Sequence, residues 1–358
     1  MSDEGSHVIS IPALPTDRDE ELVRRFTVTL HYLRHLEIYL TQTYGRGQAL
    51  YPGLGAALAA HRPYLKLSRR SSIDLDGIRR FVEIGWISEL QLRVPAAIGS
   101  ASALRYTNAW APIHAYYSAY MLLQAWFLAN GMTGLADDHT ATLRSVSAQI
   151  RDRQLFPRPW SVLAAGNPLG GSCSYINEPQ PGACAAKIEV LSIPIGLPGA
   201  YAEAEFWARF GTWLRTTREA RLRAKEDEWK RKRGRKRIDP KVRVEYARTL
   251  HPTSLFDCLW RMRIRSNYRS VEPYLVRYIG EADAERFHRA LVSVTRATLF
   301  LLESYLARVI GAKQFEALAE AFLNHDSHGM TASTLGMRLP VVLSTATHPG
   351  AGKRRSES

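Results

Sequence analysis

Ala109-Trp-Ala-Pro-Ile-His-Ala-Tyr-Tyr-Ser-Ala-Tyr-Met-Leu-Leu-Gln-Ala-Trp-Phe-Leu-Ala-Asn-Gly-Met132 is the one run in the chain that could be mistaken for a membrane span. A span needs about 20 predominantly apolar residues, and polar groups in lipid are costly. This run carries Pro112, His114, Ser118, Gln124, Asn130 and the tyrosines Tyr116, Tyr117 and Tyr120. It therefore reads as a buried bundle helix. Pro112 sits in the first turn, where its missing N–H costs nothing, and Asn130-Gly131 closes the helix.

Working outward, the same period recurs on both sides. Asp17 to Tyr44 is expected to be helical: Thr16 or Asp17 caps it, and Leu22, Phe26, Leu30, Leu33, Leu40 and Tyr44 form an apolar stripe. A Gly/Pro-containing stretch follows, then a helix near Asp76–Leu92 with Ile78, Phe81, Val82, Trp86 and Leu90 on one side. Residues 17–100 make an N-terminal helical region. A helix from Asp137–Asp138 through Ile150 ends before Pro157 and completes a block at 105–155. Across 157–199, 13 of 43 positions are Pro or Gly, which predicts a loop with a short strand at Ile188–Ile193. Residues 201–250 read as a helical hairpin inserted into the bundle. Residues 253–325 hold its second part: a helix capped by Thr253 or Ser254 and ended or kinked at Pro273, a long helix Ala282–Ile310, and a short one near Lys313–Asn324. The small, polar and basic tail 344–358 is expected to be disordered. The fold class is all-α, a helical bundle with one large insertion.

The chain has 358 residues and a formal charge of +14. Between Arg215 and Arg248 there are 15 basic and 6 acidic side chains, so this segment supplies most of the excess. Basic charge gathered on one element is the electrostatic footprint of a polyanion. Cys173, Cys184 and Cys258 are an odd, sparse set that fits a reducing compartment. Residues 1–16 have neither the charged nor the apolar region of a secretory signal, so a cytoplasmic setting and no membrane partner are expected.

Two segments carry a family resemblance. Ala115-Tyr-Tyr-Ser-Ala-Tyr-Met-Leu-Leu-Gln-Ala-Trp126, ending at Gly131, resembles the early bundle helix of the HEPN superfamily. Leu259-Trp-Arg-Met-Arg-Ile-Arg-Ser-Asn-Tyr268 resembles its late-helix motif, with Arg263, Ser266, Asn267 and Tyr268 at the motif positions. Asp137-Asp-His-Thr-Ala-Thr-Leu-Arg144 is similar to the intervening helix. The resemblance covers 105–155 and 253–310. It implies a HEPN-like bundle, commonly a homodimer, and a metal-independent endoribonuclease of stress or phage defence with no cofactor. On that reading Arg263, Asn267 and Tyr268 are the catalytic candidates. The family's ribonucleases place a histidine several residues after the arginine as the acid or base. This chain has none between Arg261 and Arg277. Tyr268 is a poor substitute near neutral pH, and His114 could serve only if the fold brought it beside Arg263.

The residues add a reading of their own. Arg261, Arg263, Arg265 and Arg269 form a run without an intervening acid, which calls for an anionic or acidic neighbour. Lys230-Arg-Lys-Arg-Gly-Arg-Lys-Arg237 holds seven cations in eight positions, with Trp229 available to stack on a base. Lys230, Arg231, Lys232, Arg233, Arg235, Lys236 and Arg237, with Trp229 and Arg261, Arg265 and Arg269, are therefore the nucleic-acid candidates, RNA favoured. No metal site is expected: His31 and His35 are spaced i, i+4 without a third ligand, and His325-Asp-Ser-His328 stands at a helix end. Asn167-Pro-Leu-Gly-Gly-Ser172 reads as turn chemistry. The alternative to an enzyme is a non-catalytic interaction module that meets nucleic acid or a protein partner through the basic hairpin.

Overall fold

Asp17, Asp19 and Glu20 fill the first turn of α1 (Asp17–Tyr44), where negative charge suits the positive helix end, and its apolar stripe is buried from Leu22 to Tyr44. The computed structural model describes residues 17–97, 99, 101–134, 138–169, 172–187, 199–269, 279–324 and 335–348. Over these the chain is all-α apart from one small β-hairpin. The Gly/Pro-containing stretch after α1 is not a loop: it forms α2 (Leu50–Ala60) and the short α3 (Arg62–Leu65). Pro52 lies in the first turn of α2, where no donor is lost. At Gly53 a methyl group would overlap the Tyr44 carbonyl, so the glycine permits the sharp return against α1.

Next come α4 (Leu75–Ala97), α5 (Ala101–Thr107) and α6 (Ala111–Ala129). α4 runs along α6, and Gly85 lets them approach: a Cβ there would lie 3.2 Å from the Ser118 carbonyl oxygen. α6 is buried, as its polar positions demand: Gln124 donates to Thr142 Oγ1 at 2.7 Å inside the core. α7 (His139–Arg153) is N-capped by Asp138, whose carboxylate accepts from the Thr140 and Ala141 amides.

The Pro/Gly-rich region holds β1 (Leu163–Asn167) paired antiparallel with β2 (Ser172–Ile176), and Asn167–Ser172 joins them. The strand expected at Ile188–Ile193 lies outside the described residues. Trp160, Val162, Leu163 and Ala164 are buried, and Trp160 Nε1 donates to Thr298 Oγ1 at 3.0 Å. Ala164 and Thr253 exchange backbone hydrogen bonds of 2.9 and 2.8 Å, which fixes the hairpin against the start of the late helix. This region is part of the core.

α8 (Gly199–Arg233) and α9 (Pro240–Thr249) form the expected helical hairpin. Its root packs on α1: Tyr39 stacks on Phe206 at 4.1 Å and Tyr32 on Trp213 at 5.5 Å. α10 (Leu255–Ile264) opens on a capping box between Ser254 and Asp257 and continues as a π-helical turn, Arg265–Arg269. Leu255, Leu259 and Met262 are buried and α10 packs on α6, as its spacing predicts. Pro273 lies outside the described residues.

α11 (Glu281–Ile310) runs through the centre against α1, α5, α6 and a C-terminal helix. Among the described residues it, rather than α6, is the helix long and apolar enough to cross a membrane; 83% of that apolar window is buried against the chain. α12 (Ala312–Asn324) follows, then α13 (Leu335–Thr347), so residues 344–347 are helical where a disordered tail was expected, and 349–358 lie outside the described residues. α13 is held by Arg338, 0% exposed, whose guanidinium grips Glu89 at 2.7 and 2.6 Å and Glu303 at 2.6 and 2.7 Å. Trp86 Nε1 donates to Glu303 at 2.7 Å, so α4, α11 and α13 meet on one buried network.

Candidate functional site

The late helix turns one arginine into the bundle. Arg263 is 8% exposed, donates from Nη2 to Tyr117 Oη at 2.8 Å, and lies 5.4 Å over the Tyr117 ring. Tyr116, Tyr117 and Tyr120 from α6 surround His139, the first residue of α7. His139 Nδ1 shares a 2.9 Å hydrogen bond with Tyr116 Oη, and its ring lies 4.4 Å from Tyr120 and 6.0 Å from Tyr117. Burial, and then the Arg263 charge, hold the His139 imidazole below its ordinary value, against the pull of Asp138. Burial pushes the Tyr116 phenol well above its usual range, so it stays protonated. A histidine supplied by a different helix from the motif therefore shares the Tyr117 ring with Arg263 and feels its charge. It lies in the Asp137–Arg144 stretch, but nothing in its spacing singled it out. His114 faces elsewhere, lining a small cavity with Trp110, Leu92 and His288.

The other late-helix residues separate. Arg261 donates to Thr216 and Thr217 Oγ1 at 3.3 Å each, and burial, with Arg265 next, lowers its pKa to about 10. It faces α8 while Arg263 faces α6. Arg265 is half-buried and Asn267 is exposed. The side chains of Tyr268 and Arg269 fall outside the described residues. The row of arginines is thus shared among neighbouring helices.

The hairpin is divided the same way along its length. At its root Arg218 is an internal clamp: its guanidinium donates to the carbonyls of Gly166 at 2.7 Å, His251 at 2.8 Å and Ala247 at 2.9 Å. Arg221 and His251 converge on the buried Asp257 at 2.9 and 3.0 Å, and Arg243 pairs with Glu226 at 2.6 Å. At the tip, Gly234 takes a positive φ of 61°, which ends α8 and turns the chain toward α9. Every residue from Arg231 to Arg237 is exposed. Lys230 pairs with Asp227 at 3.4 Å and Lys232 with Glu228 at 2.6 Å. Among the described residues Arg231, Arg233, Arg235, Lys236 and Arg237 have no carboxylate at ion-pairing distance. Trp229 is half-buried beside them.

Among the described residues no three His, Cys, Asp or Glu side chains are grouped to hold a metal ion. His31 and His35 lie in the core beside Glu205, which Arg209 already engages at 2.6 Å. His325 and His328 lie outside the described residues. The three cysteines are unpaired thiols; burial pushes those of Cys184 and Cys258 up to about 12, so they are inert. Comparison with family models, curated proteins and solved structures returns no match.

Proposed function

We propose that this protein binds nucleic acid, RNA in preference, through the tip of its α8–α9 hairpin, on a HEPN-like bundle. The observation that carries the reading is the exposed, unneutralised cluster Arg231, Arg233, Arg235, Lys236 and Arg237 on a turn projecting from a buried root. Phosphate contacts from such a cluster release counterions and are insensitive to sequence. Trp229 at its edge offers a stacking face for an unpaired base, which favours a single strand. Replacing the five with Ser or Gln should weaken binding of a single-stranded oligoribonucleotide, read by fluorescence anisotropy. Unchanged affinity would overturn the reading.

A second reading has its own observation. His139, sharing the Tyr117 ring with Arg263, supplies the group whose absence from the motif argues against a metal-independent ribonuclease. When Nδ1 carries the proton shared with Tyr116, Nε2 is free to take a proton from a ribose 2′-hydroxyl, and Arg263 would hold phosphate charge. The exposed Asn267 would stand at the rim of such a site, not in its floor. His139→Ala and Arg263→Lys should each abolish cleavage, since an ammonium cannot reproduce the guanidinium fork. Wild-type protein that leaves RNA intact, alone or as a dimer, would leave only the binding role.

A further inference from the structure

A separate cavity lies between α1, the turn into α2, the end of α4, α5 and α11, and no residue of the hairpin tip or of the Arg263 cluster lines it. Its volume is about 810 Å³, within the ~300–1,000 Å³ usual for small-ligand sites. Arg34, Arg46, Arg289 and Arg296 line it against Glu37 and Glu285, an excess of two positive charges. Glu37 is taken by Arg34. Arg296 is fixed by donating from Nε to Tyr51 Oη at 2.8 Å with its guanidinium 5.5 Å over that ring. Among the described residues Arg46, Arg289 and Arg296 have no carboxylate at ion-pairing distance. With Glu285 on the same wall, these three guanidinium groups leave a net excess of two positive charges around one concavity, which favours an anionic ligand.

His288, 3% exposed, forms part of the same wall and of the wall of the smaller cavity beside it. Its Nδ1 lies 3.0 Å from Asn108 Oδ1, and Asn108 is oriented by donating from Nδ2 to the Ala284 carbonyl at 2.8 Å. That chain places the proton on Nδ1. The Leu92 carbonyl, on the wall of the smaller cavity, is the ring's backbone hydrogen-bond neighbour. Ile38, Leu50, Leu104 and Val292 supply apolar surface in the larger cavity.

We propose that this cleft binds a nucleoside phosphate: Arg46, Arg289 and Arg296 take the phosphates and the apolar wall takes the base. This site stands independently of the hairpin. A free nucleotide and the 5′-phosphorylated end of an RNA chain share the chemistry, so both are tested. In calorimetric titration of the full chain, ADP should bind saturably and adenosine at least tenfold more weakly. The Arg46→Ser, Arg289→Ser double variant should lose at least tenfold in ADP affinity with an unshifted melting temperature, since both side chains are exposed. The hairpin-tip variant should bind ADP like wild type, which separates failure here from failure of the RNA reading. Competition by a 5′-phosphorylated oligoribonucleotide, but not its 5′-hydroxyl form, would make an RNA end the natural source; ADP binding without that competition would make it a free nucleotide. Absence of ADP and pyrophosphate binding at millimolar concentration, or equal ADP affinity in the double variant, overturns the proposal.

Discussion

The late helix and the hairpin tip are both dense in arginine, and the fold uses them in opposite ways. On α10 the arginines are drawn into the protein: Arg261 bonds two threonines of α8 and Arg263 a tyrosine of α6. At the tip, five cations from Arg231 to Arg237 face solvent with no carboxylate partner among the described residues. The same contrast runs within α8, where Arg218 is 1% exposed and joins four carbonyls while Arg231 and Arg233 are exposed. Counted charge therefore overstates the field at the hairpin root and describes it well at the tip. Arginine has five donors and a weakly hydrated plane, so it serves as an internal tie as readily as a phosphate grip.

The contrast should break most sharply at Arg338. Arg338→Ala leaves Glu89 and Glu303 facing each other in the core and should cost ~3–5 kcal/mol in denaturant unfolding, with RNA affinity per folded molecule unchanged. Burial already pushes the Glu303 carboxyl up, and Arg338 is what opposes it. A loss under about 1 kcal/mol would mean that the network contributes little.

Acid should separate the interior from the tip by a similar amount. Burial lowers His288 from an ordinary 6.5 to about 4, and His31 and His35 are lowered for the same reason. A histidine with a depressed folded-state pKa binds its proton more readily when unfolded. Its contribution is complete above about 6.5 and is lost as pH falls toward 4. For His288 alone this amounts to on the order of 3 kcal/mol over the window. The melting temperature should hold from pH 8 to 7 and then fall steadily, while the tip, made of Lys and Arg, does not titrate there. A flat profile to pH 4.5 would contradict the burial of these rings.

Arg263→Ala sharpens the comparison at a smaller scale. Removing the Tyr117 hydrogen bond and the stacked cation should cost ~1–2 kcal/mol and shift the melt. An unshifted melt with abolished RNA cleavage would instead place Arg263 with the phosphate-binding arginines. The hairpin-tip substitutions should have the least effect on stability, leaving the melting temperature where it was, because nothing in the core touches those side chains.

Much of the fold was legible because the signals were local. The stripe of α1, the apolar run of α6, the cap at Thr253 or Ser254 and the Asp137–Asp138 start of α7 act within a few residues of themselves. α2 was not legible, because Pro52 and Gly53 look like a turn until Tyr44 is known to press on them. α13 was hidden for a related reason: Arg338 is stabilised by Glu89, 249 residues away, and no local pattern reports that. The site shows the same limit. Arg263 was visible as a motif and the tip as a charge run, but His139 comes to share the Tyr117 ring with Arg263 only when α7 packs beside α6. The arginine-lined cleft joins α1, α4, α5 and α11, whose sequences are far apart.

We propose that the tip, rather than the late helix, makes the electrostatic contact with nucleic acid. The most direct test is the salt dependence of binding a single-stranded oligoribonucleotide, plotted as log K against log salt for wild type, the five-residue tip variant and Arg263→Ala. The tip variant should show a shallower slope, by about 0.7 for each phosphate it no longer neutralises, while Arg263→Ala keeps the wild-type slope. A tip variant with an undiminished slope, or an Arg263→Ala variant whose slope collapses, would contradict that assignment.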